Sequence, residues 1–346
     1  MKAAVLKGIE NLEMEDISRP TPSPQEILIK VKACSICGTD IRVYHHGHKH
    51  MRFPRIIGHE LSGEIVEIGK RVEGHKLGEK VAIAPAIPCG RCHYCRRGMQ
   101  SMCINLAAIG YHYDGGFAEF MVVPEDAVRN GCVNTIPPEL SFEEAALAEP
   151  LACAINGQQL SQISLGNTVV VVGAGPLGCI HLQLAKAKGA SRTILVELSR
   201  ERIDFAKKFA FPDIVINPSS ENAIQRIKEE TEGRGADRII VSCPSGKAQE
   251  ESLSMVAPRG IINFFGGLPL DNPFIKFNSN LIHYGEFYVV GTHGSAPYHN
   301  ELALSLISQE KVRIKELVTH RLPLEKLEEG LALAESKKGM KILINP

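Results

Sequence analysis

Four cysteines fall within fifteen residues, as Cys89-x2-Cys92-x2-Cys95-x7-Cys103. Four thiolates at such short spacings can surround one metal ion tetrahedrally, and zinc is the usual occupant of an all-sulfur cage. A closed cage of this kind leaves no coordination position for a substrate. The spacing therefore predicts a lobe pinned around a structural metal, and any chemistry has to come from residues elsewhere in the chain.

At 346 residues the chain exceeds the usual span of one hydrophobic core, so two domains are expected. Lys plus Arg number 39 and Asp plus Glu number 39, which offers no electrostatic footprint for nucleic acid or anionic lipid. That balance, with no nucleic-acid-binding motif, argues against reading the four cysteines as a nucleic-acid-binding zinc ribbon. No apolar run is long enough to span a bilayer, and no signal-peptide pattern opens the chain. Ten cysteines without a secretory context read as thiols or metal ligands rather than disulfides, and the expected compartment is the cytoplasm.

Up to about residue 150, short β-like runs such as Ile27–Val31, Gly63–Ile68 and Lys80–Ala84 alternate with Gly and Pro turns. This texture predicts an antiparallel, barrel-like β domain. From about Leu165 it changes to alternating strand and helix. Val169–Val172, Ile194–Val196, Ile239–Val241 and Ile261–Phe265 read as strands, and Leu177–Lys188 and Arg200–Phe209 as helices. Such alternation predicts a parallel, doubly wound sheet. After about Gly285 the pattern is mixed and ends in a helix, Leu324–Ala334, and a strand, Lys341–Ile344. The fold class is α/β. A barrel-like β domain is expected over 1–152 and 286–346, and a doubly wound, Rossmann-type parallel-sheet domain over 153–285.

Gly173-Ala174-Gly175-Pro176-Leu177-Gly178 follows a strand and opens a helix, the context a G-x-G-x-x-G phosphate loop needs. Gly173 makes the tight turn, Gly175 lets a pyrophosphate approach the backbone, and Gly178 permits close helix–strand packing. The helix amino terminus then favours the anion. Glu197, about twenty residues on, is placed to hold the ribose hydroxyls of NAD and to repel a 2′-phosphate. Arg200 and Arg202 follow closely and leave NADP as the second option.

Cys37-Gly38-Thr39-Asp40 and Gly58-His59-Glu60 bring together three residue types that bind zinc. Three protein ligands with one open position define a catalytic zinc. Singly, each has a plain structural reading: a buried thiol, a satisfied core histidine, a solvated carboxylate.

Taken in order, Cys37–Asp40, Gly58–Gly63, the four-cysteine cage, Asp114–Glu119, Glu149-Pro150-Leu151 and Gly173–Gly178 resemble the zinc-dependent medium-chain dehydrogenases, close to the sorbitol, polyol and threonine branch. The resemblance implies two zinc ions per chain, NAD and a polyol or other secondary-alcohol substrate, with an L-threonine-type or simple-alcohol substrate as the alternative. Cys37, His59 and Glu60 match the catalytic zinc ligands. Glu149 matches a glutamate that binds this zinc directly or holds its water. Asp40 matches the carboxylate that orients the zinc-bound imidazole, and Thr39 the hydroxyl that relays the substrate proton. Leu177, Glu197 and Arg202 match positions along the cofactor's pyrophosphate, ribose and adenine, and Phe265-Gly266-Gly267 should pass near the nicotinamide. The implied reaction polarises the substrate hydroxyl with zinc and transfers hydride to the dinucleotide. Relatives commonly form dimers or tetramers, so a homo-oligomer is expected.

Two departures stand out. Arg42 occupies a position where relatives carry a histidine of the proton relay, and an arginine stays charged. Water or one of His45, His46 and His48 is left to carry the proton. His293-Gly294-Ser295 replaces the aromatic–arginine–tyrosine run of sorbitol dehydrogenases, which argues against sorbitol itself. The stretch Tyr44–His50 reads as a polar loop rather than a third metal site.

Overall fold

The computed structural model describes residues 1–346 and separates into two compact units, Met1–Ala152 with Gly294–Pro346, and Cys153–His293. In chain order the elements begin with β1 (Lys2–Gly8), β2 (Asn11–Asp16), β3 (Ile27–Ser35), α1 (Gly38–His46), β4 (Arg55–Ile56) and β5 (Glu60–Ile68). There follow β6 (Lys80–Ile83), β7 (Ala86–Ile87), β8 (Ala107–Ala108), β9 (Phe120–Val123), α2 (Glu125–Arg129), β10 (Val133–Thr135), α3 (Phe142–Ala146) and α4 (Ala148–Leu160). The strand–helix alternation comprises β11 (Thr168–Val172), α5 (Pro176–Ala187), β12 (Arg192–Val196), α6 (Arg200–Phe209), β13 (Ile214–Ile216), α7 (Ala223–Glu230), β14 (Ala236–Val241), α8 (Gly246–Ser252), β15 (Val256–Phe264), α9 (Ser279–Gly285) and β16 (Tyr288–Gly291). The chain closes with α10 (Pro297–Ser308), β17 (Val318–Pro323), α11 (Leu327–Glu335) and β18 (Lys341–Asn345).

The first unit is organised around β3. Its edges pair antiparallel with β5 on one side and with β9 and then β18 on the other, within a seven-stranded sheet whose path ends at β10 and β17. The sheet is mixed, because β17 and β18 run parallel. Ile27, Ile29 and Val31 alternate into a core shared with Leu61, Ile65 and the fully buried Phe117. Alternation at period two is what sends these side chains to one face.

The second unit is a six-stranded parallel sheet in the order β13-β12-β11-β14-β15-β16. Every residue of β11 is buried, as expected of a strand covered on both faces, and this is why its sequence is an unbroken β-branched run. Side chains of Ser199, Asn222 and Ser245 cap α6, α7 and α8. The sequence placed the end of this unit at residue 285. β16 pairs with β15 and carries the unit on to His293. Strand order reverses between β12 and β14, either side of β11, and the loops after β11, β12 and β15 all leave carboxyl ends of strands, where open parallel sheets bind ligands.

Candidate active site and metal centres

β3 delivers Cys37 to the N-cap of α1 in an extended conformation (φ −101°, ψ 152°). Register pairing sets Glu60 of β5 opposite Ser35 of β3, so His59 and Glu60 arrive beside the same strand end. Gly58 makes that arrival feasible. Its φ is +95°, and a Cβ there would lie 2.8 Å from Cys34 Sγ and 2.9 Å from the Phe117 ring. The potential ligand atoms of Cys37, His59 and Glu60 lie within 4.8 Å of one another.

Asp40, 2% exposed, ties two of these residues together. Its Oδ2 accepts the Cys37 backbone N–H at 2.8 Å, and its Oδ1 lies 3.2 Å from His59 Nδ1. The second contact is close enough for charge attraction but is not aligned as a hydrogen bond, and His59 Nδ1 remains a buried nitrogen without one. Burial disfavours the His59 imidazolium, yet Asp40 and Cys37 outweigh it and raise its pKa well above the ordinary value. A cation bound here would displace that proton, as ligand imidazoles require. The thiol at a helix N-cap, the imidazole with a carboxylate behind it and the buried carboxylate form a donor set suited to zinc.

Two residues that no motif singled out complete the cluster. Lys341, at the start of β18, donates to Glu60 Oε1 at 2.5 Å, to Glu60 Oε2, and to the Ile36 carbonyl at 3.3 Å. Lys341 is 5% exposed and Glu60 1%. Burial alone would lower the lysine's pKa, but Glu60, Cys37 and Glu149 hold it above the ordinary value. The sequence does carry a faint signal for it, since Lys341 shares a strand face with the fully buried Leu343. Tyr111 packs its ring 5.9 Å from that of His59, and burial pushes its hydroxyl up to about 12. Thr39 lies half-buried in the first turn of α1, and Glu149 half-buried in the first turn of α4. The converging trio does not include Glu149, whose charge nevertheless reaches Lys341. A cavity of about 270 Å³ lined by Met1, Ile17, Arg55, His112, Tyr113 and Phe120 contains none of these donors and is not the reaction site.

The sulfurs of Cys89, Cys92, Cys95 and Cys103 also lie within 4.8 Å of one another, and all four cysteines are free thiols. Backbone N–H groups point at them. Cys89 N–H donates to Cys103 Sγ at 3.2 Å, the N–H of Arg91 acts on Cys89, and the N–H of Cys95 draws Cys92 down to about 6. Burial pushes Cys95 the other way, to about 12. Thiolates inside a ring of N–H donors are what a tetrahedral cation needs. The lobe's apolar contacts amount to the cysteines and Leu106, while Tyr94, Met99, Met102 and Ile104 stay exposed. The cage therefore fits a structural zinc, and the metal substitutes for a core. Cys95→Ser should lower the melting temperature by several degrees, equivalent to about 2–4 kcal/mol, since it removes one of four ligands from a lobe with little other packing. Calorimetry checks this, and an unchanged melting temperature would contradict it.

In the second unit the glycine loop is shaped for a phosphate. Gly173 has φ +101°, and a Cβ on Gly178 would sit 1.9 Å from the Gly173 carbonyl oxygen, so only glycine lets α5 pack this close. Gly175 caps α5 and Pro176 is its first residue. Beyond Gly175 the nearest atom to a built Cβ is Arg202 Nη1 at 3.7 Å. Glu197 follows β12, where its Oε2 accepts the Ala174 N–H at 2.6 Å and its Oε1 accepts those of Leu198 and Ser199, each at 2.8 Å. It thus holds the loop itself, and unused lone pairs remain for a ribose hydroxyl. Leu177 lies in the first turn of α5. Phe265 packs edge-on against the buried His181, ring centroids 4.5 Å apart. Gly266 presses on the Cys243 backbone, and Gly267 is open. Arg200 is exposed and pairs with Asp204. These residues fit a dinucleotide.

Comparison with known proteins agrees with the geometry. Residues 23–133 match the alcohol dehydrogenase GroES-like domain, and residues 176–309 match the zinc-binding dehydrogenase domain. The chain is 37% identical over 336 residues to an L-threonine 3-dehydrogenase of Pyrococcus furiosus, covering 96% of this chain and 94% of that one. It is 34% identical to a probable D-xylulose reductase A of Emericella nidulans, covering 98% and 95%. A zinc-binding dehydrogenase from Sinorhizobium meliloti, solved bound to NADP, superposes with a TM-score of 0.92 at 30% identity, covering 100% and 99%. The chain belongs to the zinc-dependent medium-chain dehydrogenase family. It is an oxidoreductase acting on CH–OH donors, a zinc-dependent polyol or alcohol dehydrogenase, and zinc and NAD(H) are the cofactors of its family.

Proposed function

We propose that this chain oxidises a secondary alcohol of the polyol or sugar type with NAD, using two zinc ions, one held by Cys37, His59 and Glu60 and one by the four-cysteine cage. The observation that carries the reading is the convergence of Cys37, His59 and Glu60 with Asp40 fastened to two of them. When bound, zinc supplies Lewis acidity that lowers the pKa of a hydroxyl. Cys37, at the N-cap of α1, provides the sulfur ligand. Asp40 fixes the imidazole of His59. Lys341 holds Glu60 in place, and Glu149 stands nearby as a fourth ligand or the holder of a water. Thr39 carries the substrate proton outward, and because Arg42 cannot pass it on, water or one of His45 and His46 at the end of α1 and His48 beyond it receives it. In the second unit Gly173, Gly175 and Gly178, with Pro176 and Leu177, seat the pyrophosphate. Glu197 and Arg202 take the ribose and adenine, and Phe265, Gly266 and Gly267 take the nicotinamide end. The threonine-type alternative is favoured by the Pyrococcus furiosus relative.

Metal analysis should find about two zinc ions per chain, with saturable NAD binding and NAD reduction by at least one polyol in a panel that includes threonine. One zinc and no dinucleotide binding would overturn the reading. The Glu197 carboxylate also disfavours a 2′-phosphate, so Glu197→Gln should narrow the preference for NAD over NADP by about tenfold in kcat/KM. An unchanged ratio would remove Glu197 from cofactor selection.

The same reading includes a homo-oligomer in the cytoplasm. β16 is a sheet edge whose Tyr288 is 62% exposed, and Leu270, Phe274 and Tyr284 near it in sequence are also strongly exposed. Such an edge favours strand pairing with a second copy. Val289→Pro should then shift the sedimentation coefficient toward the monomer, and a wild-type monomer would refute the pairing. Ten free cysteines and the absence of any helix long and apolar enough to cross a membrane support the compartment.

A further inference from the structure

Between Asp40 and Glu60 the chain carries no carboxylate, although it carries Arg42, His45, His46, His48, Lys49, His50, Arg52, Arg55 and His59. Part of this cationic stretch is neutralised locally. His45 lies between Glu10 and Glu335, and Arg55 pairs with Asp114. The remainder gathers at one place in the first unit. The ring of His48 packs 4.7 Å from Tyr111 and 5.4 Å from His50, and His50 stacks on His112 at 5.4 Å. Tyr111 in turn contacts His59. A continuous file of rings thus leads from the proposed zinc ligand to three imidazoles beside Arg42.

The charged groups acting on His48 and His112 are all positive. Burial lowers His48 first, and then His50, Arg42, His112 and Lys49 lower it further. Burial likewise lowers His112, followed by His50 and Arg55. His48 is half-buried while His50 and His112 stay exposed, and a plain solvated loop does not stack three imidazoles in one file with no acid among them. Nor do the three rings make a metal site, because their nitrogens do not converge as the two ligand clusters do. What the arrangement lacks is an anion.

Resting on the dehydrogenase reading, we propose that Arg42, His48, His50 and His112 receive an anionic group, a phosphate monoester or a carboxylate, carried by the substrate a few carbons from its reacting hydroxyl. Tyr111 forms the wall between the two ends. The substrate class is then an acidic hydroxy compound rather than a free polyol. Binding draws protons onto the imidazoles, so affinity strengthens as pH falls through the imidazole range and weakens with added salt.

The first test titrates the zinc-loaded protein with inorganic phosphate while following imidazole ring C–H resonances, assigned with His48→Gln and His112→Gln. The His48, His50 and His112 signals should move together toward their protonated positions and saturate, and Arg42→Gln should weaken that binding by about tenfold. The second compares NAD reduction by a polyol, its phosphate monoester and a hydroxy acid of equal length. One of the anionic compounds should exceed the neutral polyol by about tenfold in kcat/KM, and which one identifies the group. Arg42→Gln should raise KM for that compound more than it lowers kcat. If the neutral polyol is preferred and phosphate leaves the imidazoles unmoved, the anion receptor is wrong and the dehydrogenase reading stands. If phosphate titrates the imidazoles but no alcohol reduces NAD, the receptor stands and the dehydrogenase reading falls.

Discussion

Cys37→Ser should leave a folded protein that no longer oxidises alcohols, with kcat reduced by roughly 10³-fold or more. The argument begins with the residue's place in the chain. Cys37 is half-exposed at the N-cap of α1, where serine is a favoured cap, so the replacement costs little stability. What changes is the donor. A cysteine sulfur is a strong zinc ligand, whereas a serine hydroxyl binds zinc poorly. Zinc per chain should fall from about two toward one, because the four-cysteine cage lies on a separate lobe and keeps its ion. The Cys95→Ser variant gives the complementary outcome, with stability lowered by loss of the cage. If Cys37→Ser kept wild-type turnover, the catalytic assignment of the Cys37–His59–Glu60 cluster would be untenable.

The parts of this molecule that are legible in its sequence are those governed by local spacing. Four cysteines within one turn-rich segment can meet without help from the rest of the fold, and their sulfurs do meet. The Gly173 loop is likewise a local object, a strand, a turn and a helix in sequence order, and α6 runs from Arg200 to Phe209 as its pattern predicts. Cys37, His59 and Glu60 were each ambiguous alone, because their meeting depends on the β3–β5 register and on the room that Gly58 leaves. Lys341 left only a faint mark in the sequence, its strand face shared with the buried Leu343. It meets Glu60 across 281 residues of chain, and a lysine opening a terminal strand ordinarily reads as a solvated edge. The sequence assigns the Glu197 carboxylate to the cofactor end, but its grip on Ala174 belongs to backbone geometry that no residue pattern encodes. β16 was missed for a related reason: Tyr288-Val289-Val290-Gly291 is short, largely exposed and lies at a sheet edge, so it lacks the buried run that marks β11.

Lys341→Met should be strongly destabilising in the metal-free protein, by about 3–5 kcal/mol, because it leaves the Glu60 carboxylate buried without a partner. Both members of the pair are nearly inaccessible to solvent, so water cannot take the lysine's place. Zinc changes the outcome. A cation at the Cys37–His59–Glu60 cluster offers Glu60 a second positive partner, so the variant should lose far less melting temperature when zinc-loaded than when chelated. The gap between loaded and chelated melting temperatures should therefore be wider for Lys341→Met than for the wild type. A double variant separates the charge effect from lost packing. Adding Glu60→Gln to Lys341→Met removes the stranded charge and should restore much of the stability of the chelated protein, while weakening zinc binding at this cluster. If Lys341→Met melted like the wild type in chelator, or if the double variant were no more stable than the single one, Lys341 would not be the group that holds Glu60 ready for metal.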